Sequence, residues 1–157
     1  MTAPHPDPTP EHIAAVLDRS IEEARGLRDA LAAERTALED RDPDALERVL
    51  DTKTAHVDRL TALDSERQQL FAAAGFENGP SGPPSPRFAG VELRWQRLID
   101  LADQCAQLNQ ANGFVIRARQ SRVDARLKIV RDEPIAPVTY GQSGDRTGNG
   151  HRSLAEA

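Results

Sequence analysis

The distribution of proline is the sequence feature that most restricts how this chain can fold. Proline lacks an amide hydrogen and clashes with the preceding helical turn, so it is excluded from helix interiors. The eleven prolines are confined to residues 4–10, Pro43, residues 80–86, Pro134 and Pro137. The proline-free intervals, residues 11–42, 44–79 and 87–133, are therefore long enough to form three uninterrupted helices.

Capping residues place the helix ends. Thr9-Pro10, Asp42-Pro43 and Ser85-Pro86 each join an N-cap residue to a proline at the first helical position. Gly75, which follows three alanines, is typical of a left-handed cap, and Phe76 would supply the apolar contact behind it. The sequence therefore predicts helices over about 10–41, 43–75 and 86–131, in a helical domain of residues 9–131. Residues 1–8 are predicted to be disordered and residues 132–157 to form a flexible tail.

The apolar residues repeat with helical spacing, and no segment alternates as a β-strand would. The predicted fold is all-α: a long antiparallel helical hairpin or a three-helix, coiled-coil-like bundle. The choice depends on Asp42-Pro43, which can be a kink or a tight turn.

The third predicted helix carries the most regular apolar seam, with steps of three and four residues. Its members are Phe88, Val91, Trp95, Leu98, Ala102, Cys105, Asn109, Asn112, Ile116, Arg119, Val123, Leu127 and Val130. Asn109, Asn112 and Arg119 interrupt it with polar side chains. Either these residues fix the alignment of a buried seam, or the distal half of the helix is incompletely covered and faces another chain.

Charge is unevenly distributed. Residues 1–85 carry 17 acidic and 9 basic side chains, whereas residues 86–131 carry 4 acidic and 9 basic ones. A basic helix that complements an acidic hairpin explains this pattern. A nucleic-acid site over residues 117–131 is a weaker interpretation, because no aromatic residues interleave the arginines and the net charge is −5.

The sequence offers no candidate for catalysis, metal binding or a cofactor. The four histidines lack ligand spacing to each other or to Cys105, the single cysteine, and no nucleophile is paired with a base. No apolar run is long enough for a membrane span and no secretory signal is evident, so we expect no membrane insertion. A cytoplasmic, non-enzymatic protein that binds other helices is the resulting hypothesis.

Two sequence stretches resemble the FlgN family of flagellar export chaperones. The first runs from Leu31 to Leu46 and includes Asp42-Pro43-Asp44; Lys53, Leu60, Leu63, Arg67 and Leu70 continue it. The second, Asn109-Gln-Ala-Asn112-Gly113-Phe-Val-Ile116, is similar to the most recognisable family motif, and Tyr140-Gly141 resembles its C-terminal motif. The resemblance covers roughly residues 11–145.

The resemblance implies a cytoplasmic helical chaperone with no cofactor. It would bind the terminal helical regions of hook-associated proteins, prevent their premature assembly and deliver them to the flagellar type III export apparatus, without binding nucleic acid. A weak homodimer is compatible with this role. The implied partner-binding residues are Asn109, Asn112, Gly113, Ile116, Arg119, Val123, Leu127, Val130 and Tyr140. The alternative is another helical adaptor or a structural coiled-coil protein of a secretion system.

Overall fold

The computed structural model describes residues 8–76, 80 and 87–131. These residues form three helices, α1 (Pro10–Asp40), α2 (Pro43–Ala73) and α3 (Ala89–Val130), and contain no strand. The all-α class predicted from the sequence is confirmed. The predicted N-terminal disorder, the start at Ser85-Pro86 and the predicted tail lie outside the described residues.

A tight turn, not a kink, joins α1 to α2. Arg41 adopts a left-handed conformation with φ of 58°, and the amide of Asp42 donates to the carbonyl of Ala37 over 3.1 Å. A carboxylate oxygen of Asp42 then accepts from the amide of Ala45, so Asp42 caps α2 as its sequence position predicts. At the start of α1 the hydroxyl of Thr9 accepts from the amide of His12 in the same way.

The described residues up to Gln120 form one compact unit, in which α1, α2 and the first part of α3 all contact one another. Contacts such as Arg19–Glu66 and Glu23–Arg59 make α2 antiparallel to α1. α3 runs parallel to α1, because Arg94 pairs with Asp18 in the N-terminal halves of the two helices and Asn112 meets Leu31 farther along both. The arrangement is therefore the three-helix form of the predicted fold.

Most of the buried apolar surface of this unit belongs to α1. Its buried aliphatic side chains include Ile13, Val16, Leu17, Ile21, Leu31 and Leu38, whereas α2 buries only Leu63 and Phe71. The apolar stripe of α1 is therefore the largest contribution to the core of this unit.

An aromatic cluster closes the end of this unit at which α2 finishes. Gly75 has φ of 80°, in agreement with the predicted left-handed cap, and the amide of Phe76 donates to the carbonyl of Phe71 over 2.8 Å. The rings of Phe71, Phe76 and Phe88 meet edge to face, and Trp95 packs edge to face on Phe71. These contacts bury apolar surface between α2 and α3.

The second unit is described from Ser121 to Arg131. Residues 121–130 complete α3, Arg131 follows it, and each of these residues is exposed to solvent.

Candidate functional site

Four polar side chains join the three helices where the sequence predicts an interrupted seam. We call Glu34, Lys53, Asn109 and Asn112 the polar cluster. The ammonium group of Lys53 lies 3.2 Å from Glu34 Oε2 and donates to Asn109 Oδ1 over 3.0 Å. Asn112 Nδ2 donates to the Leu31 carbonyl and to Glu34 Oε2, over 2.9 and 2.8 Å. Two asparagines of the FlgN-like stretch on α3 thus contact both other helices: Asn109 contacts α2, and Asn112 contacts α1.

The two asparagines of the cluster differ sharply in exposure. Asn112 is only 1% exposed, whereas Asn109 is exposed at the surface. Asn112 is therefore covered by α1 and its contacts are internal in this conformation. Its Oδ1 atom is buried and has no hydrogen-bond partner among the described protein atoms. The carboxylate of Glu34 is also buried, and Lys53 and Asn112 compensate its desolvation.

Gly113 and Arg119 are half-buried positions on the same stretch of α3. A Cβ atom added at Gly113 would meet only the flexible end of the Arg117 side chain, at 3.3 Å. Arg119 lines a shallow pocket of about 370 Å³ with Leu38, Pro43 and Leu46, at the turn between α1 and α2. The hairpin formed by α1 and α2 therefore ends beside Arg119.

The apolar residues predicted to bind a partner are exposed. Ile116 is 44% exposed, Val123 54%, Leu127 46% and Val130 82%. Their steps of seven, four and three residues place them on one side of a helix, and we call these four residues the front face. Tyr140 lies outside the described residues.

Sequence reasoning missed three features of this region. It omitted Glu34. This residue lies between Leu31 and Leu38 on the helical apolar spacing of α1, and that spacing could have indicated that its carboxylate is buried. It also omitted Phe114, which is 58% exposed beneath the guanidinium of Arg117, at 4.8 Å from the ring centre, and Ile129, which is 59% exposed. Phe114 and Ile129 are of interest because they are exposed, and helical spacing alone does not reveal which apolar residues remain exposed in the folded chain.

Two ionisable groups outside the front face, Glu23 and Cys105, have shifted pKa values that local contacts or burial explain. Glu23 accepts hydrogen bonds from Arg59 and His56, and these bonds lower the pKa of its carboxyl group. Burial raises the pKa of the Cys105 thiol, which donates to the carbonyl of Ala24. Within residues 8–76 and 87–131 no cluster of three or more acidic, histidine or cysteine side chains could hold a metal ion.

None of the helices in the described part of the chain combines the length and the apolar character that a membrane crossing requires.

Comparison with known proteins gives one family. The model of the FlgN protein family matches residues 9–148, which is nearly the whole chain. The comparison finds no significant match among curated proteins and none among solved structures. The family match includes all three helices and both FlgN-like stretches, and FlgN proteins are chaperones that act in flagellum assembly and type III export. The chain belongs to the FlgN family of flagellar export chaperones.

Proposed function

We propose that this chain binds the terminal helical regions of hook-associated proteins through the front face, keeps them unassembled, and delivers them to the flagellar export gate. The encounter would take place in the cytoplasm and would involve binding without catalysis. The observation that carries the proposal is the exposure of four apolar side chains, spaced along one side of a helix, in a chain of this chaperone family.

Helix-in-groove recognition explains how such a face could act. A protein that assembles by pairing amphipathic helices exposes an apolar stripe before assembly, and a chaperone helix can cover that stripe. Ile116, Val123 and Leu127 offer aliphatic contacts at the required spacing. Arg119 lies between Ile116 and Val123 in sequence and interrupts the apolar spacing with a charged side chain. This interruption would weaken the interface, which would suit a client that must later be released.

The roles of the remaining predicted site residues follow from their positions. Asn109 and Asn112 would fix the register of α3 through the polar cluster, and Gly113 would lie beside that cluster without contacting the client. We propose Tyr140 as a contact for the export apparatus. A Tyr140→Ala chain that binds client normally but lowers its secretion would support this role, whereas normal secretion would refute it.

Calorimetric titration tests client binding. The wild-type chain is titrated with the terminal helical segments of a hook-associated protein from the same cell, and we expect one-to-one binding with a negative heat-capacity change, the mark of apolar burial. Replacing Ile116 and Val123 with glutamate should weaken binding by about 100-fold, because two of the four apolar contacts are lost and replaced by charges.

Leu93 supplies the matched control for the double variant. It is a 75% exposed leucine on α3 that has no place in the front face, so Leu93→Glu makes a comparable chemical change elsewhere on the helix. Its client affinity should equal that of the wild type. Unchanged binding by the Ile116→Glu, Val123→Glu chain, with its helicity intact by circular dichroism, would show that the front face is not the client site.

The structural coiled-coil alternative makes a different prediction. A structural coiled coil would self-associate stably, whereas a chaperone should be at most a weak dimer that dissociates when client is added. Sedimentation of the purified chain with and without the client segment separates the two functions.

A further inference from the structure

The distal part of α3 carries a second row of exposed residues, apolar except for Ser121, in addition to the front face. Steps of four, three, four and four residues connect five positions, and all five are exposed. They are Phe114, Ala118, Ser121, Ala125 and Ile129, and we call them the back stripe. In an α-helix these positions fall on the side opposite the front face.

Charged residues separate the two apolar surfaces. By helical spacing, Arg122 and Arg126 fall on one flank, and Arg117, Lys128 and Arg131 fall on the other. From Phe114 to Arg131 the only acidic residue is Asp124. A surface helix typically has one apolar stripe and a polar opposite face, so exposed Phe114 and Ile129 on the side opposite the front face depart from this pattern and suit a second partner.

We propose that the back stripe binds a second amphipathic helix of the same client, so that one chaperone helix is held between two client helices. This inference rests on the proposed function. The small side chains of Ala118, Ser121 and Ala125 leave room for close helix approach between two larger contacts, Phe114 and Ile129. These two residues are separated by about 22 Å along the helix, which matches a partner of about four turns.

Charge identifies the chemistry of this second helix. The back stripe is bordered on both flanks by cationic side chains, so the occupant should carry an apolar stripe with acidic residues beside it. The same argument disfavours pairing with the distal α3 of a second copy, because arginines would then face arginines. Two helices from one client also gain from linkage, since binding of the first raises the effective concentration of the second.

The test uses the full-length hook-associated protein from the same cell and peptides of its two terminal helical segments. Phe114→Gln with Ile129→Gln removes the apolar contacts of the back stripe but retains good helix formers. We expect the double variant to bind the full-length client at least about tenfold more weakly than the wild type does, because it loses the linked second helix. It should bind the segment that occupies the front face with wild-type affinity.

Leu93→Gln serves as the matched control and should leave both affinities unchanged. Wild-type affinity of the double variant for the full-length client, with helicity intact, would overturn the proposal. A failure of the proposed function is distinguishable: in that case the wild-type chain binds no client, or the Ile116→Glu, Val123→Glu variant binds both the client and the segment normally. The proposal would also be overturned if the Phe114→Gln, Ile129→Gln variant lost self-association but kept its affinity for client. That result would assign the back stripe to pairing with a second copy of this chain.

Discussion

The side-chain amide of Asn112 donates to the main-chain carbonyl of Leu31 over 2.9 Å, across the interface between α1 and α3. The same nitrogen atom reaches the buried carboxylate of Glu34 over 2.8 Å. A one-turn slip of α3 would separate Asn112 from both acceptors and leave Glu34 with Lys53 alone. The contact therefore specifies the alignment of the two helices at a position where an aliphatic residue would bury more apolar surface.

Asn112→Asp tests this interaction. The change would replace a donor with a second buried carboxylate beside Glu34, and two adjacent carboxylates in the interior repel each other. We expect the free energy of unfolding at neutral pH to fall by about 3 kcal/mol, as for other disrupted buried charge pairs. Urea unfolding followed by circular dichroism measures the difference.

Asn109→Asp is the matched control for that substitution. Asn109 is exposed and its Oδ1 atom already accepts from Lys53, so a carboxylate there gains an ion pair without burial. Its stability should stay within about 0.5 kcal/mol of the wild type. Equal effects of the two substitutions would contradict the internal role of Asn112.

Gly26 should resist substitution although it lies inside α1. A Cβ atom at this position would overlap the imidazole ring of His56 on α2. Overpacking of about 1–3 kcal/mol should outweigh the gain of about 1 kcal/mol in helix propensity, so Gly26→Ala should be destabilised. In the His56→Ala background the overlap is gone, and the same glycine substitution should become stabilising; urea unfolding of the four chains completes the cycle.

Gly113→Ala has the opposite expected result. Its added Cβ would meet only the Arg117 side chain, which can rotate away, so the helix-propensity gain of about 1 kcal/mol should remain. The measurement is the thermal midpoint, together with client affinity, which should not change. A loss of stability would show that Gly113 needs its freedom for a backbone conformation other than the helix.

The bonded carboxylate of Glu23 predicts a pH dependence of stability. Hydrogen bonds from Arg59 and His56 lower its pKa in the folded chain. At acidic pH the unfolded chain therefore binds more protons than the folded chain does. The stabilisation is complete above the ordinary glutamate pKa of 4.5 and is lost as the pH falls through the lowered value.

Urea midpoints measured between pH 7 and pH 3 would detect this contribution. Glu23→Gln should be less stable than the wild type at pH 7, and the difference should shrink toward acid. Glu47→Gln, at an exposed position on α2, should follow the wild-type pH dependence. A constant difference between Glu23→Gln and the wild type across the range would assign the loss to packing and not to ionisation.

Local rules predicted much of this fold, and tertiary packing decided the rest. Proline positions and capping residues predict three helices because both act within one turn of the chain. Asp42-Pro43 was compatible with a kink or a turn, since the left-handed conformation of Arg41, a non-glycine residue, has no sequence signal. Asn109 and Asn112 occupy equivalent seam positions in sequence, yet only the packing of α1 distinguishes the exposed residue from the buried one.

The Cys105 thiol offers a test of whether client binding opens the bundle. Cys105 is 8% exposed, and its Sγ atom lies 3.5 Å from the Ala24 carbonyl at the interface of α1 and α3. Burial raises the pKa of the thiol, which lowers the thiolate fraction, so alkylation in the folded chain should be slow and should require local opening. If client binds to the front face, which does not include this interface, added client should leave the alkylation rate unchanged. The alkylation rate of the urea-unfolded chain sets the upper limit. Faster alkylation in the presence of client would mean that client helices enter by separating α1 from α3.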